Sequence, residues 1–390
     1  MMASDEVRLA RAYLCGVAEP PAPALAALVA VVGPLEAAAR VRQGQVPERV
    51  AKETGARCAR ELAAEQLRAA EAVGARLLVP EDDDWPLAAL LAFSRSGYPH
   101  LAAPLALWVR GTKPLAPLTE RSVAVVGSRA CTGYGSHVAN SLGFGVAELG
   151  VTVFSGAAFG IDGAAHRGAL SAGGPTVAVL ACGVDIAYPA GHHRLLAQIV
   201  EEGLVVSEYP PGTTPARHRF LVRNRVIAGL SAGTVVVEAG WRSGSRRTAS
   251  DALLLGRSVM AVPGPVTSAL SVGSHRLLRE PGVTAVTTAA EVVEEIGRIG
   301  IDLAEPSAPR ERPTDNLHHT TARVYDVLDQ RSNGDVRRLG VESGLPVELV
   351  RAALGELELA GLAERTPNGW RRAPASPKHA GKSVEGCGGA

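Results

Sequence analysis

Within the nine residues Arg217-His218-Arg219-Phe220-Leu221-Val222-Arg223-Asn224-Arg225 the chain sets four arginines, one aromatic ring and one amide. On a helix Arg219 and Arg223 lie four apart, Asn224 can hydrogen-bond a phosphate or a base edge, and Val226, Ile227 and Leu230 turn toward a sheet. An aromatic ring beside guanidinium groups is a platform for single strands: Phe220 stacks an unpaired base while the arginines hold the backbone, with no demand on sequence. A core phenylalanine under a solvated basic face has the same composition, so both readings stand at this point.

Three other segments carry polar groups at the right spacing for a ligand. Val126-Gly127-Ser128-Arg129 ends an apolar run and is followed by Gly133-Tyr134-Gly135-Ser136. Such a turn offers backbone N–H groups and a helix N-terminus to phosphate, and Arg129 adds a planar cation suited to a phosphodiester; a structural turn with a surface arginine reads equally well. Ser155-Gly156-Ala157-Ala158-Phe159-Gly160-Ile161-Asp162 continues to His166, one helical turn on. Asp162 and His166 resemble an acid–base pair, but no nucleophile or ligand cluster accompanies them, and a helix cap with an anchoring hydrogen bond is the expectation. Glu238 stands at a strand end, where a catalytic carboxylate is conceivable, and Ser243-Gly244-Ser245 opens a helix that suits an anion. Pro263-Gly264 reads as a turn.

These segments sit in a regular alternation. Apolar runs at 122–126, 151–154, 176–180, 204–207, 234–238, 258–262 and 283–286 are separated by helix-length stretches. Continuous Val/Ile/Leu runs are strands buried on both faces, and strand–helix alternation implies right-handed crossovers in a mostly parallel, doubly wound α/β sheet. A short strand at 105–109 is expected before it, after a stretch punctuated by Pro80, Trp85-Pro86, Pro99 and Pro104. Residues 5–72 are rich in Ala and Leu, broken at Gly16, Pro20 to Pro23, Gly33-Pro34 and Gly44 to Pro47, and read as helices. Beyond a Pro-containing linker, three helices at 320–330, 335–342 and 346–360 precede an Asn368-Gly369 hairpin, with Asp335 as N-cap, Pro346 in a first turn, and Val350, Leu354 and Leu357 on one face. Helices plus hairpin make a winged helix. The expected divisions are 1–75 helical, 76–298 Rossmann-like, 299–318 linker, 319–373 winged helix and 374–390 disordered tail.

A chain of 390 residues with 46% hydrophobic residues supports several domains. The net charge of +1 hides clustering. Between Arg217 and Arg247 seven arginines face Glu238 alone, a one-sign patch suited to phosphate. Five scattered cysteines without a C-x-x-C pair indicate neither disulfides nor a metal site. Neither G-x-G-x-x-G nor G-x-x-x-x-G-K-[ST] occurs, so no nucleotide cofactor is expected. With no signal-like N-terminus and no run approaching roughly 20 uninterrupted apolar residues, a cytoplasmic protein without a membrane partner is expected.

In order and spacing, V-V-G-S-R, S-G-A-A-x-G-I-D-x-A-A-H, F-x-x-R-N-R-x-I-A-G-L-S, V-E-A-x-x-x-S-G-S and A-V-P-G resemble the DNA-processing protein A family, also called Smf. The resemblance implies an extended Rossmann-like domain that binds and shields single-stranded DNA and helps load RecA recombinase in natural transformation, without covalent chemistry. It also implies a SAM-like helical N-terminal domain, a C-terminal winged helix and a homodimer. Carried over by motif, the DNA-binding residues are Arg129, Arg217, Phe220, Asn224 and Arg225, framed by Gly127, Ser128 and Gly156; Arg223 and Ser243 join them from the residue reading. Leu221 departs from the family, which usually has Pro there. The winged helix looks a poor DNA reader, because Glu348, Glu356 and Glu358 oppose Arg351 unless the wing arginines Arg365, Arg371 and Arg372 compensate. The alternative is a nucleotide-processing enzyme of the lysine-decarboxylase-like Rossmann group, hydrolysing nucleoside monophosphates; its G-G-x-G-T-x-x-E loop is missing around Val236-Val237-Glu238-Ala239-Gly240.

Overall fold

In the computed structural model, which describes residues 3–297, 301–304, 314–315 and 317–374, the chain forms two compact units, 1–305 and 306–390. Twelve of the twenty residues of the expected linker, and all of the expected tail but Pro374, lie outside the described residues. The first unit begins with α1 (Asp5–Val17), α2 (Pro23–Gln43), α3 (Glu48–Thr54) and α4 (Ala63–Ala72). Then follow β1 (Ala75–Leu78), α5 (Leu87–Ser96), β2 (Leu107–Arg110), α6 (Leu115–Glu120), β3 (Ser122–Val126), α7 (Gly133–Glu148), β4 (Thr152–Ser155), α8 (Ile161–Ser171) and β5 (Thr176–Leu180). The order continues with α9 (His193–Glu202), β6 (Leu204–Ser207), α10 (Arg217–Leu230), β7 (Gly233–Val236), α11 (Ser245–Leu254), β8 (Ser258–Ala261), α12 (Val272–Leu277), β9 (Val283–Ala285) and α13 (Ala289–Ile296).

The strands form one nine-stranded sheet in the order β1-β2-β6-β5-β4-β3-β7-β8-β9. All pairings from β6 to β9 are parallel, and β1 and β2 add an antiparallel edge. The seven apolar runs thus become the seven parallel strands of a doubly wound sheet, as expected. The short strand expected at 105–109 is β2, whereas β1 before the Pro-punctuated stretch and helix α5 within it were not expected there.

Alternate residues of each central strand supply two cores. Ala124 and Val126 of β3 and Val177 and Val179 of β5 join α5, α10 and α11 through Phe93, Val226, Ile227 and Ala249. Val123 and Val125 face the other way, onto Leu142, Ile161 and Ala165 of α7 and α8. On that second face, farther along the sheet, Ala178, Leu180 and Val205 share a core with Tyr13, Leu14, Leu25 and Ala37 of the N-terminal helices. Burial of a side chain of this size is worth about 1.5–3 kcal/mol, so these two layers hold the sheet.

Helix α2 is, by length and composition, apolar enough to cross a membrane (mean hydropathy 1.7). It bends at Gly33, whose φ of 81° belongs to glycine, and carries Glu36, Arg40 and Arg42 beyond the bend. Leu25, Val29, Ala37, Ala38 and Val41 are buried in the core beside α1.

The second unit contains α14 (His319–Val327), α15 (Val336–Ser343), α16 (Val347–Leu359), β10 (Ala363–Thr366) and β11 (Gly369–Arg372). Asp335 caps α15 by accepting the N–H groups of Arg337 and Arg338. Pro346 is the N-cap of α16, one position earlier than the first-turn site expected, because its ψ of 145° lies outside the helical range. Val350, Leu354 and Leu357 are buried with Val324 and Leu339.

Candidate nucleic-acid interface

The winding of the sheet reverses between β3 and β7: from β3 the chain proceeds to β4 and β5 on one side, then returns through α10 to β7 on the other. Beyond the carboxyl ends of strands at such a reversal the connecting loops diverge and leave a crevice. Here it is a groove of about 950 Å³ whose wall includes Gly127, Ser128, Arg129, Arg217, Phe220 and Asn224.

Its tight floor has a steric cause. A Cβ on Gly127 would come within 2.9 Å of the Glu238 carbonyl and closer still to the Ile161 side chain, so only glycine lets β3 end here. Ser128 then donates its N–H to that same carbonyl at 2.8 Å. Glu238, 1% exposed, accepts the N–H (2.9 Å) and hydroxyl (2.5 Å) of Thr132, which caps α7. The carboxylate is therefore committed to holding the Arg129 loop and does not face the groove.

Asp162 lines the groove and, with His166, makes anchoring hydrogen bonds; the cap of α8 is Gly160, and Asp162 lies inside the first turn where a cap was expected. Asp162 accepts the Gly156 N–H at 3.1 Å. Burial raises its pKa, against the Arg223 charge and backbone N–H groups of Gly156, Ala158 and Gly127. His166 is paired with the Thr176 hydroxyl at 2.7 Å, and burial, with His192, Arg167 and Arg223 nearby, lowers its pKa to about 3.

The arginines separate by partner. Arg129 is exposed and lies 4.7 Å from the Phe220 ring centroid; Tyr188 meets the same ring at 5.4 Å, tilted by 45°. Arg217 and Arg242 are exposed on the groove wall. Among the described residues no carboxylate pairs with any of these three. Arg223 is buried on the floor, donating to the carbonyls of Gly156 and Val179; burial lowers its pKa to about 10, and the Arg129 charge adds to that effect while Asp162 opposes it. Two guanidinium groups thus converge on one space. Gly156 is pressed beneath Arg223, where a Cβ would collide with the guanidinium. Asn224 lines the groove and donates to the Gly244 carbonyl at 3.2 Å, fixing the loop in which the Ser243 hydroxyl meets that of Ser245 at 2.7 Å. Leu221 fits a regular α10 and lines the same wall.

Arg225 is not brought to the groove. It is 2% exposed and pairs with Glu208 at 2.6 Å, in a pocket lined by Cys15, Ala22 and Leu105. The one-sign patch is likewise reduced: Glu19 pairs with Arg219 at 2.8 Å and Asp251 with Arg247 at 2.8 Å, so remote carboxylates, invisible in the 217–247 window, neutralise part of it. Sequence reasoning missed Tyr188; a tyrosine in the loop beyond the carboxyl end of β5 was the available signal.

Residues 76–297 match the DNA recombination-mediator protein A family, and 306–369 the DprA winged helix domain. The chain belongs to the DNA recombination-mediator protein A family. A putative DNA processing protein DprA of Mycobacterium tuberculosis (strain H37Rv) is 50% identical over 370 residues, covering 94% of this chain and 95% of that protein. Protein Smf of Escherichia coli (strain K12) is 38% identical over 299 residues, 76% of this chain and 77% of that one. The X-ray structure of DNA processing protein A from Streptococcus pneumoniae superposes with a TM-score of 0.60 at 31% identity, over 75% of this chain and 99% of that one. Every groove residue named above falls inside the span matched to the family.

In the winged helix, Glu356 of α16 is engaged by the Thr321 hydroxyl. Two of the three wing arginines are committed: Arg371 to Glu364, and Arg372 to the Tyr325 carbonyl at 2.9 Å and to its ring. The wing therefore offers little to offset the carboxylates of α16.

Proposed function

We propose that this protein binds single-stranded DNA in the groove at the carboxyl edge of its sheet, shields it and passes it to RecA recombinase, without a covalent step of its own. The observation that carries this reading is the juxtaposition of the half-buried Phe220 ring with Arg129, Arg217 and Arg242, three cations without a carboxylate partner among the described residues. Unstacked bases need a ring to lie on and phosphates need unpaired cations; a duplex offers its ring faces to neither. Arg223 strengthens the site from below, since a cation held by carbonyls in a desolvated floor gains from an arriving phosphate.

In this reading Gly127, Ser128 and Gly156 shape the floor, Asn224 and Ser243 hold the strand's far side, and Arg225 supports α10 from behind. The DNA-binding domain is 76–298, preceded by the helical 1–75. The winged helix at 319–373 serves a protein contact or regulation. The protein acts in the cytoplasm during transformation, as a homodimer.

Fluorescence anisotropy of a labelled oligothymidine and of its duplex counterpart tests this, with wild type, Arg129→Ala and Phe220→Ala. Single-strand preference, reduced about tenfold or more by each substitution, is the expected result. Equal affinity of all three proteins, or no binding by wild type, overturns it.

A further inference from the structure

Resting on the single-strand reading, a second feature of the same edge goes beyond the family motifs. The β7–α11 loop continues from the groove-lining Gly240 to Trp241, whose side chain is among the most exposed aromatics of the chain at 58%. A single exposed ring is ordinary on a protein surface; what distinguishes this one is the set of cations around it and its place beside the groove. Two guanidinium groups flank this ring: Arg276 of α12 at 5.0 Å from its centroid and Arg246 of α11 at 5.9 Å. Arg246 also donates to the Trp241 carbonyl at 2.9 Å, which fixes the loop. Arg242, next in sequence, is exposed and lines the groove. From Ala239 to Arg279 the sequence holds one carboxylate, Asp251, and that group is buried and paired with Arg247. The composition repeats that of Phe220 with Arg129: an accessible ring among cations that lack a carboxylate partner, continuous with the groove.

We propose that Trp241, with Arg242, Arg246 and Arg276, is a second stacking platform that extends the single-strand path past the groove and lengthens the site the protein covers. An arginine against one part of the ring leaves the rest for a base, and the two cations hold the flanking phosphates. Single-stranded nucleic acid fits this surface better than a protein because the charge is one-signed and the apolar area is a lone ring.

The test uses the full chain and two labelled oligothymidines, of about 6 and about 20 nucleotides, the short one within the span of a single site. Trp241→Ala is expected to weaken the long strand roughly tenfold and the short one less than about twofold; Trp241→Phe keeps most of the long-strand affinity. Of the four tryptophans Trp85 and Trp108 are buried and Trp370 packs against the winged-helix core, so quenching of intrinsic emission by the long strand should largely vanish in Trp241→Phe. Arg276→Ala should reduce the salt slope for the long strand by roughly 0.7. Equal loss of both lengths, or no loss of either with quenching retained, overturns the platform while leaving the groove reading intact. A wild type that binds neither length removes both.

Discussion

Arg129 ends in solvent against the face of Phe220, whereas Arg225 ends against Glu208 in a desolvated pocket. The two substitutions to alanine should therefore fail in different ways. Arg129→Ala removes one phosphate contact, so affinity for single strands should fall and the slope of log affinity against log salt should shrink by roughly 0.7, with unfolding by urea unchanged within about 0.5 kcal/mol. Arg225→Ala strands a buried carboxylate, and breaking such a pair costs about 3–5 kcal/mol. Urea midpoints should drop steeply, while the molecules that remain folded keep their affinity within about threefold. If Arg225→Ala instead left stability untouched and abolished binding, the buried pair would not be its role. Both arginines belong to motifs read from the sequence; a motif gives residue type and spacing, and the direction of a side chain depends on Glu208, which lies 17 residues away in another element.

Helix α8 and strand β5 are joined by His166 and Thr176, a bond made under complete desolvation. An unfolded histidine takes up a proton near pH 6.5, and the folded one not until about pH 3. Between these values the unfolded state holds more protons, so stability rises with pH across that window, by about 1.4 kcal/mol per unit from this group alone. Comparing urea unfolding of wild type and His166→Asn at pH 7, 6 and 5 should show the wild type losing more as pH falls; parallel losses would exclude His166 as the source. The adjoining Asp162 works at the same scale, ordering the turn that carries Gly156 through backbone N–H groups. Its helical position was legible from the spacing to His166, but its partners Gly127 and Arg223 come from β3's end and from α10, and no local pattern links them.

For the whole molecule, three exposed arginines around one groove predict a slope of roughly −2 for oligothymidine binding, from roughly 0.7 per contact. A flat salt response measured by anisotropy would contradict a phosphate-bound strand. Residues 306–390 form their own compact unit, and their wing arginines are largely engaged internally. Ending the chain at residue 305 should therefore change single-strand affinity by less than about threefold; a larger loss would show the winged helix to be a DNA reader.

The seven parallel strands were visible because a strand buried on both faces must be apolar at every position, which marks it in the sequence without knowledge of its neighbours. The groove motifs were visible for a related reason: glycines at strand ends and cations at a helix start are local requirements of close approach and of charge. Strand β2 was also visible as a short apolar run, but β1 and the antiparallel direction of the edge were not, since Ala75–Leu78 is short and becomes a strand through pairing with β2. Nor was the division of the arginines between solvent and carboxylates. Ion pairing acts through space, so whether Arg219, Arg225 or Arg247 remains available was decided by Glu19, Glu208 and Asp251. The residues able to bind DNA were set by the sequence, and which of them face an open groove was settled only when the chain folded and each charge found, or failed to find, its opposite within hydrogen-bonding reach.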